Sequence, residues 1–133
     1  MIDCKILVQK AYEGRKNAYI PYSHFPVGAA VLAEDGHIYT GCNIENASFG
    51  ATNCAERTAI FKAVSEGNRT ICAIAIVGVK DDYTYPCGIC RQVIAEFAAP
   101  DIKIILGRNP DEYIVKTLDE ILPGAFTKKD LEK

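Results

Sequence analysis

Apolar residues recur at three- and four-residue spacing through Cys4, Leu7, Val8, Ala11, Ala18 and Tyr19, the stripe of an amphipathic helix. Asp3 can cap it and Pro21 marks its end, so the first helix is expected to run to about Tyr19, weakened at Gly14. The pattern then changes. Val27 to Ala33 is apolar and strand-like, Asp35-Gly36 offers a tight turn, and His37 to Cys42 returns as a second strand. A long polar loop over residues 43–53 leads to a helix from near Cys54 to Gly67, with Ala55, Ala59, Ile60, Ala63 and Val64 facing inward. Ile71 to Val79 is a continuous apolar run, the pattern of a strand buried on both faces.

A third helix is expected from about Gly88 to Ala98, stopped by Pro100, followed by a strand over Ile102 to Leu106. The turn at Asn109-Pro110-Asp111-Glu112 allows only a short return, so Tyr113 to Lys116 should pair antiparallel with it. Thr117 can cap a short helix to Leu122, and residues 128–133 read as a flexible, solvated tail. This order predicts an α/β fold: a three-layer α/β/α sandwich around a mixed five-stranded sheet. Strands joined through the second and third helices should run parallel. Both helix starts then meet at the carboxyl ends of neighbouring strands, where open sheets place their ligands.

With 133 residues the chain is read as one domain over residues 1–133. Its net charge of −2 argues against nucleic acid as a partner, since phosphate binding needs clustered basic surface. Residues 1–20 are interrupted by Lys5, Lys10, Glu13 and Arg15, and no apolar run is long enough for a membrane span. The expectation is a cytoplasmic protein without membrane contact. Six cysteines in such a chain are not read as a disulfide framework. Cys4, Cys42 and Cys72 stand singly within apolar periodicity and are assigned to packing. His24 and His37 fall outside ligand spacing with the cysteines and are read as loop and hairpin residues.

Cys87 and Cys90 lie one helical turn apart, which puts both sulfurs on one side. Alone, the pair is equally readable as a structural zinc or redox motif. Cys54, at the start of the preceding helix, supplies a third sulfur. Three protein ligands with an open fourth position mark catalytic zinc, whereas structural sites fill all four. Zinc lowers the pKa of water in that position, and Glu56, two residues from a ligand, stands where a carboxylate can move protons. Helix N-termini favour the negative charge of three thiolates.

The strings Asn43-Ile44-Glu45-Asn46-Ala47-Ser48-Phe49, Cys54-Ala55-Glu56-Arg57-Thr58-Ala59 and Cys87-Gly88-Ile89-Cys90-Arg91-Gln92 resemble the small homotetrameric cytidine deaminases, from about residue 3 to Phe126. The resemblance implies the cytidine deaminase-like fold, one Zn2+ per subunit on Cys54, Cys87 and Cys90, and hydrolysis of cytidine and 2'-deoxycytidine in pyrimidine salvage. Hydroxide generated at zinc would attack C4, with Glu56 shuttling protons to N3 and to the departing ammonia. It further implies that Arg57 hydrogen-bonds the thiolates and places Arg91 in the same supporting role. Asn43 and Glu45 match positions that hold the ribose hydroxyls, Phe25 one that packs on the base, and Ala55 one whose backbone contacts the base edge. Phe126 matches an aromatic that reaches into a neighbouring subunit's pocket, implying a homotetramer with shared active sites.

Asn43 and Glu45 have a simpler use as well, satisfying backbone groups of their own loop. The chain departs from the family pattern at Tyr85, where serine is frequent, and at Ile89, where alanine is usual. Both lie on the ligand loop, which keeps a second substrate class open: a modified or antibiotic cytosine nucleoside of the blasticidin type. A non-catalytic zinc-stabilised module would instead need a full metal shell and gives Glu56 no role.

Overall fold

The computed structural model describes residues 2–132. Asp3 caps α1 (Cys4–Arg15) by accepting the Ile6 amide, as its position before the apolar stripe predicts. The helix stops at Arg15, short of the expected Tyr19. Tyr19 instead exchanges backbone hydrogen bonds with Asn43 and Glu45 in an isolated bridge to Ile44, so its periodicity with α1 is coincidental. Strands β1 (Gly28–Ala33) and β2 (Ile38–Cys42) form the expected hairpin, with Gly36 at φ 84 in its turn. A short 3-10 turn at Phe49–Ala51 leads into α2 (Ala55–Ser65), and Gly67 at φ 99 closes that helix.

β3 (Ile71–Val77), α3 (Gly88–Phe97) and β4 (Ala98–Asn109) follow. β4 begins directly off α3, earlier than Pro100 implied. Ile71 pairs with Ala98 across a register irregularity, which seats the proline on the strand without a central ladder bond to lose. β5 (Glu112–Lys116) returns antiparallel, and Thr117 and Glu120 form a capping box on α4 (Leu118–Ile121). The expected tail carries one helical turn, α5 (Lys128–Leu131); its last residue, Lys133, lies outside the described residues.

The sheet order is β2-β1-β3-β4-β5, with only β3 and β4 parallel. β2 and β3 each run antiparallel to β1 and therefore point the same way, but β1 lies between them rather than leaving them adjacent. Gly28, at the start of β1, is level with both Cys42 and Val77. The carboxyl ends of β2 and β3 thus flank the entry of β1, and their loops lead to the two candidate ligand helices.

Each face of the sheet carries its own core. Leu7, Val8 and Ala11 of α1 pack on Ala30, Ala73, Ala75, Val77 and Ile105, a face of small residues that lets the helix sit close. At Gly28 a Cβ would lie 2.1 Å from the Ala11 carbonyl oxygen, so no larger residue fits between strand and helix. On the other face Ala55, Ala59, Ile60 and Ala63 of α2 and Ile94 of α3 pack against the isoleucines of β3 and β4. The result is the expected three-layer sandwich. Cys42 is buried in packing while Cys4 and Cys72 are half-buried, and all six cysteines are free. Among the described residues no helix is long and apolar enough to cross a membrane.

Candidate active site

Cys54 and Cys87 occupy equivalent places, each the N-cap of a helix and each extended in backbone, and neither side chain is spent on a capping hydrogen bond. Cys90 lies one turn into α3 and is fully buried. The ligand atoms of Cys54, Cys87 and Cys90 all lie within 4.8 Å of one another, and the Cys54 and Cys87 sulfurs are 3.8 Å apart. Zinc–sulfur bonds of about 2.3 Å in a tetrahedron require sulfurs about 3.8 Å apart. The Cys54–Cys87 spacing matches that requirement, and the third sulfur lies within about 1 Å of it.

Electrostatics fits zinc too. Hydrogen bonding from Cys90, then from Arg57 and Cys87, lowers the Cys54 thiol's pKa, while the same contact with Cys54 and burial raise that of Cys90. Three thiolates this close repel one another, and a divalent cation would remove that conflict. Arg57 Nη2 donates to Cys54 Sγ at 3.4 Å, as the resemblance implied.

Glu56 is 4% exposed, and burial pushes its carboxyl up to about 7, with the neighbouring Cys54 charge adding to the rise. It lines a narrow cavity of about 150 Å3 together with Val27, Asn43, Cys54, Ala55, Thr84, Tyr85 and Cys87. A wider recess of about 390 Å3 is lined by Glu45 with Tyr22, Ser23, Phe49 and Thr52. A larger cavity, about 530 Å3 at the β4–β5 edge, contains none of these groups. Chemistry, not size, selects the site.

The remaining expected residues are placed differently. Asn43 Oδ1 accepts the Val27 amide at 2.9 Å and its Nδ2 donates to the Phe25 carbonyl at 2.8 Å. Glu45 Oε1 accepts the amides of Tyr22 and Ser23 at 3.0 and 3.1 Å. Both side chains therefore brace residues 22–27, the simpler use their loop position allowed, while each sits on a cavity wall. Ala55 is buried on the cavity wall. Phe25 and Phe126 are exposed, at 42% and 61%, and line neither recess.

Arg91 does not extend the thiolate network that Arg57 makes. Its guanidinium donates to the Pro86 and Ile121 carbonyls at 2.7 and 2.6 Å, clamping the ligand loop to the end of α4. Next to it, Gln92 donates to the Phe126 carbonyl at 2.7 Å. Val27 and Thr84 escaped the sequence reading because only β1's register and a loop contact with Gly78 bring them to the cavity.

The family model described as "Cytidine and deoxycytidylate deaminase zinc-binding region" matches residues 1–106. The chain is 51% identical over 130 residues to a cytidine deaminase of Halalkalibacterium halodurans, covering 98% of each sequence. It is 38% identical over 132 residues to one of Mycobacterium tuberculosis, covering 99% of this chain and 96% of that protein. A crystal structure of cytidine deaminase from Burkholderia pseudomallei superposes with TM-score 0.87 at 42% identity, over 94% of this chain and 100% of the other.

Proposed function

The chain belongs to the cytidine and deoxycytidylate deaminase family, and from that premise we propose that it hydrolyses cytidine and 2'-deoxycytidine to uridine and 2'-deoxyuridine with release of ammonia, in nucleoside salvage in the cytoplasm. The observation that carries this reading is the convergence of the Cys54, Cys87 and Cys90 sulfurs beside the buried Glu56. These three sulfurs would hold zinc, which when bound lowers the pKa of a water molecule and polarises it for attack.

The chain's own residues supply the rest. Glu56 takes one proton from the attacking water and delivers it to N3 as the C4–O bond forms, then takes the remaining proton from the new C4 hydroxyl and passes it to the amine as the C4–N bond breaks and ammonia leaves. Its burial keeps competing water away and suits a carboxyl that must both accept and release protons. Arg57, donating to Cys54, offsets negative charge on the sulfurs and favours their deprotonated form. Arg91 holds the Pro86 carbonyl and so fixes the loop that delivers Cys87.

The narrow recess suits a flat base and the wider one a sugar. The Glu45 carboxylate on the wall of the wider recess and the Asn43 amide on that of the narrow one are the groups we assign to the ribose hydroxyls. We assign the Ala55 backbone to the base edge, and Phe25, whose carbonyl accepts from Asn43 on the recess wall, to packing on the base. Phe126, Ile89 and Phe49 are exposed apolar side chains of the kind that symmetric assembly covers, and we assign Phe126 to a neighbouring subunit's pocket in a homotetramer.

The test is ammonia release from cytidine, 2'-deoxycytidine and free cytosine by the zinc-loaded protein. Both nucleosides should react and cytosine should be poor, since it lacks the hydroxyls that the Asn43 and Glu45 side chains are assigned to hold. Equal turnover of cytosine would contradict the sugar assignment, and no turnover of any would contradict the function.

A further inference from the structure

Of the two departures on the ligand loop, both partly exposed at 47% and 63%, Tyr85 lines the metal-side cavity and Ile89 does not. The cavity measures about 150 Å3, below the roughly 300 Å3 at which ordinary ligand pockets begin. Small additions to a ring held there meet a wall. That wall is anchored on both sides of Tyr85. Thr84 packs against Gly78 so closely that a Cβ there would lie 2.0 Å from Thr84 Oγ1. Pro86 is buried, its carbonyl is held by Arg91, and a proline following Tyr85 restricts that residue to extended backbone.

Resting on the deaminase reading, the carbon under attack faces the three sulfurs, and Tyr85 stands two residues from Cys87 along the same wall. The substituent on that carbon is the exocyclic amine. We propose that Tyr85 is a specificity-determining residue that limits the size of the group carried on the amine, admitting unsubstituted cytosine nucleosides and excluding N4-alkylated ones. The chemistry is the same for both: a C4–O bond forms, the C4–N bond breaks, and ammonia or an alkylamine leaves with the transferred proton. One misplaced methyl group in such a pocket is worth about 10- to 200-fold.

The experiment compares kcat/KM for cytidine and N4-methylcytidine in the full-length, zinc-loaded protein and in Y85F, Y85L and Y85A, scoring ammonia and methylamine. Wild type and Y85F should discriminate alike, because ring volume and not the hydroxyl sets the limit. In Y85A the ratio should fall at least about tenfold, through a gain on N4-methylcytidine. An unchanged ratio in Y85A, or no turnover of N4-methylcytidine by it, overturns the proposal. So does loss of cytidine turnover in both Y85L and Y85A with zinc content and melting temperature retained, since Tyr85 would then act on the reaction and not on fit. A wild-type protein inert towards cytidine would overturn the parent reading as well, which separates the two failures.

Discussion

Replacing Gly41 by alanine tests how closely β2 seats the helix that begins at Cys54. A Cβ at position 41 would lie 2.5 Å from the Ala59 nitrogen, 2.6 Å from the Ala55 oxygen and 3.0 Å from Thr58 Cβ. Favourable contacts begin near 3.5 Å, so α2 must withdraw by about 1 Å, and the two shortest contacts are helix backbone that cannot rotate away. Overpacking of this kind costs about 1–3 kcal/mol, which in a domain of 133 residues lowers the melting temperature by roughly 4–12 °C. The same movement shifts Cys54 and Glu56 on α2 relative to Cys87 and Cys90 on α3. A 1 Å displacement at a reacting centre can cost about a hundredfold. Thermal melts with and without added zinc, metal content and kcat/KM for cytidine measure the three effects together. Gly50→Ala is the control, because a Cβ there meets nothing within 4 Å. If G41A melts and turns over like G50A, the close packing that positions the site is refuted.

Arg57→Ala removes the donor to Cys54 Sγ and should weaken zinc retention or activity by about 10- to 100-fold; competition with a chromogenic chelator reads it, and unchanged retention with an unchanged rate would remove the role. Asp35 gives a pH prediction away from the site. The His37 amide, with Tyr39, the His37 ring and Asn68, holds its carboxyl well below the usual carboxylate range. A lowered folded pKa stabilises the protein above the unfolded value of about 3.9 and is lost as pH falls below it. Urea unfolding should therefore separate wild type from D35N at pH 6, with the gap closing below about pH 4; a gap independent of pH would contradict the network.

The layered α/β fold and the clustering of Cys54, Cys87 and Cys90 were both legible, the latter because metal ligands need fixed residue types at helix starts, and that pairing survives without knowledge of packing. Asp3, Gly36 and Thr117 were legible for the same local reason, since caps and turns depend on neighbours in sequence. Long-range contacts were not. Tyr19 keeps α1's spacing yet bonds across to Asn43 and Glu45, and β4 starts at Ala98 because β3 offers it a partner there. Arg91 next to Cys90 read as a thiolate neighbour, but its helix position aims it at the Pro86 and Ile121 carbonyls. Asn43 and Glu45 carried two readings in sequence, and the structure shows the loop-bracing one in place.

The most direct measurement is the ultraviolet absorbance of cytidine on adding the zinc-loaded protein, with Glu56→Gln beside it. Glutamine keeps the size of the buried side chain and removes its capacity to move protons. The account predicts conversion to uridine by the wild type, a loss of orders of magnitude in the variant, and equal zinc in both. Comparable rates from wild type and E56Q at equal zinc content would contradict it.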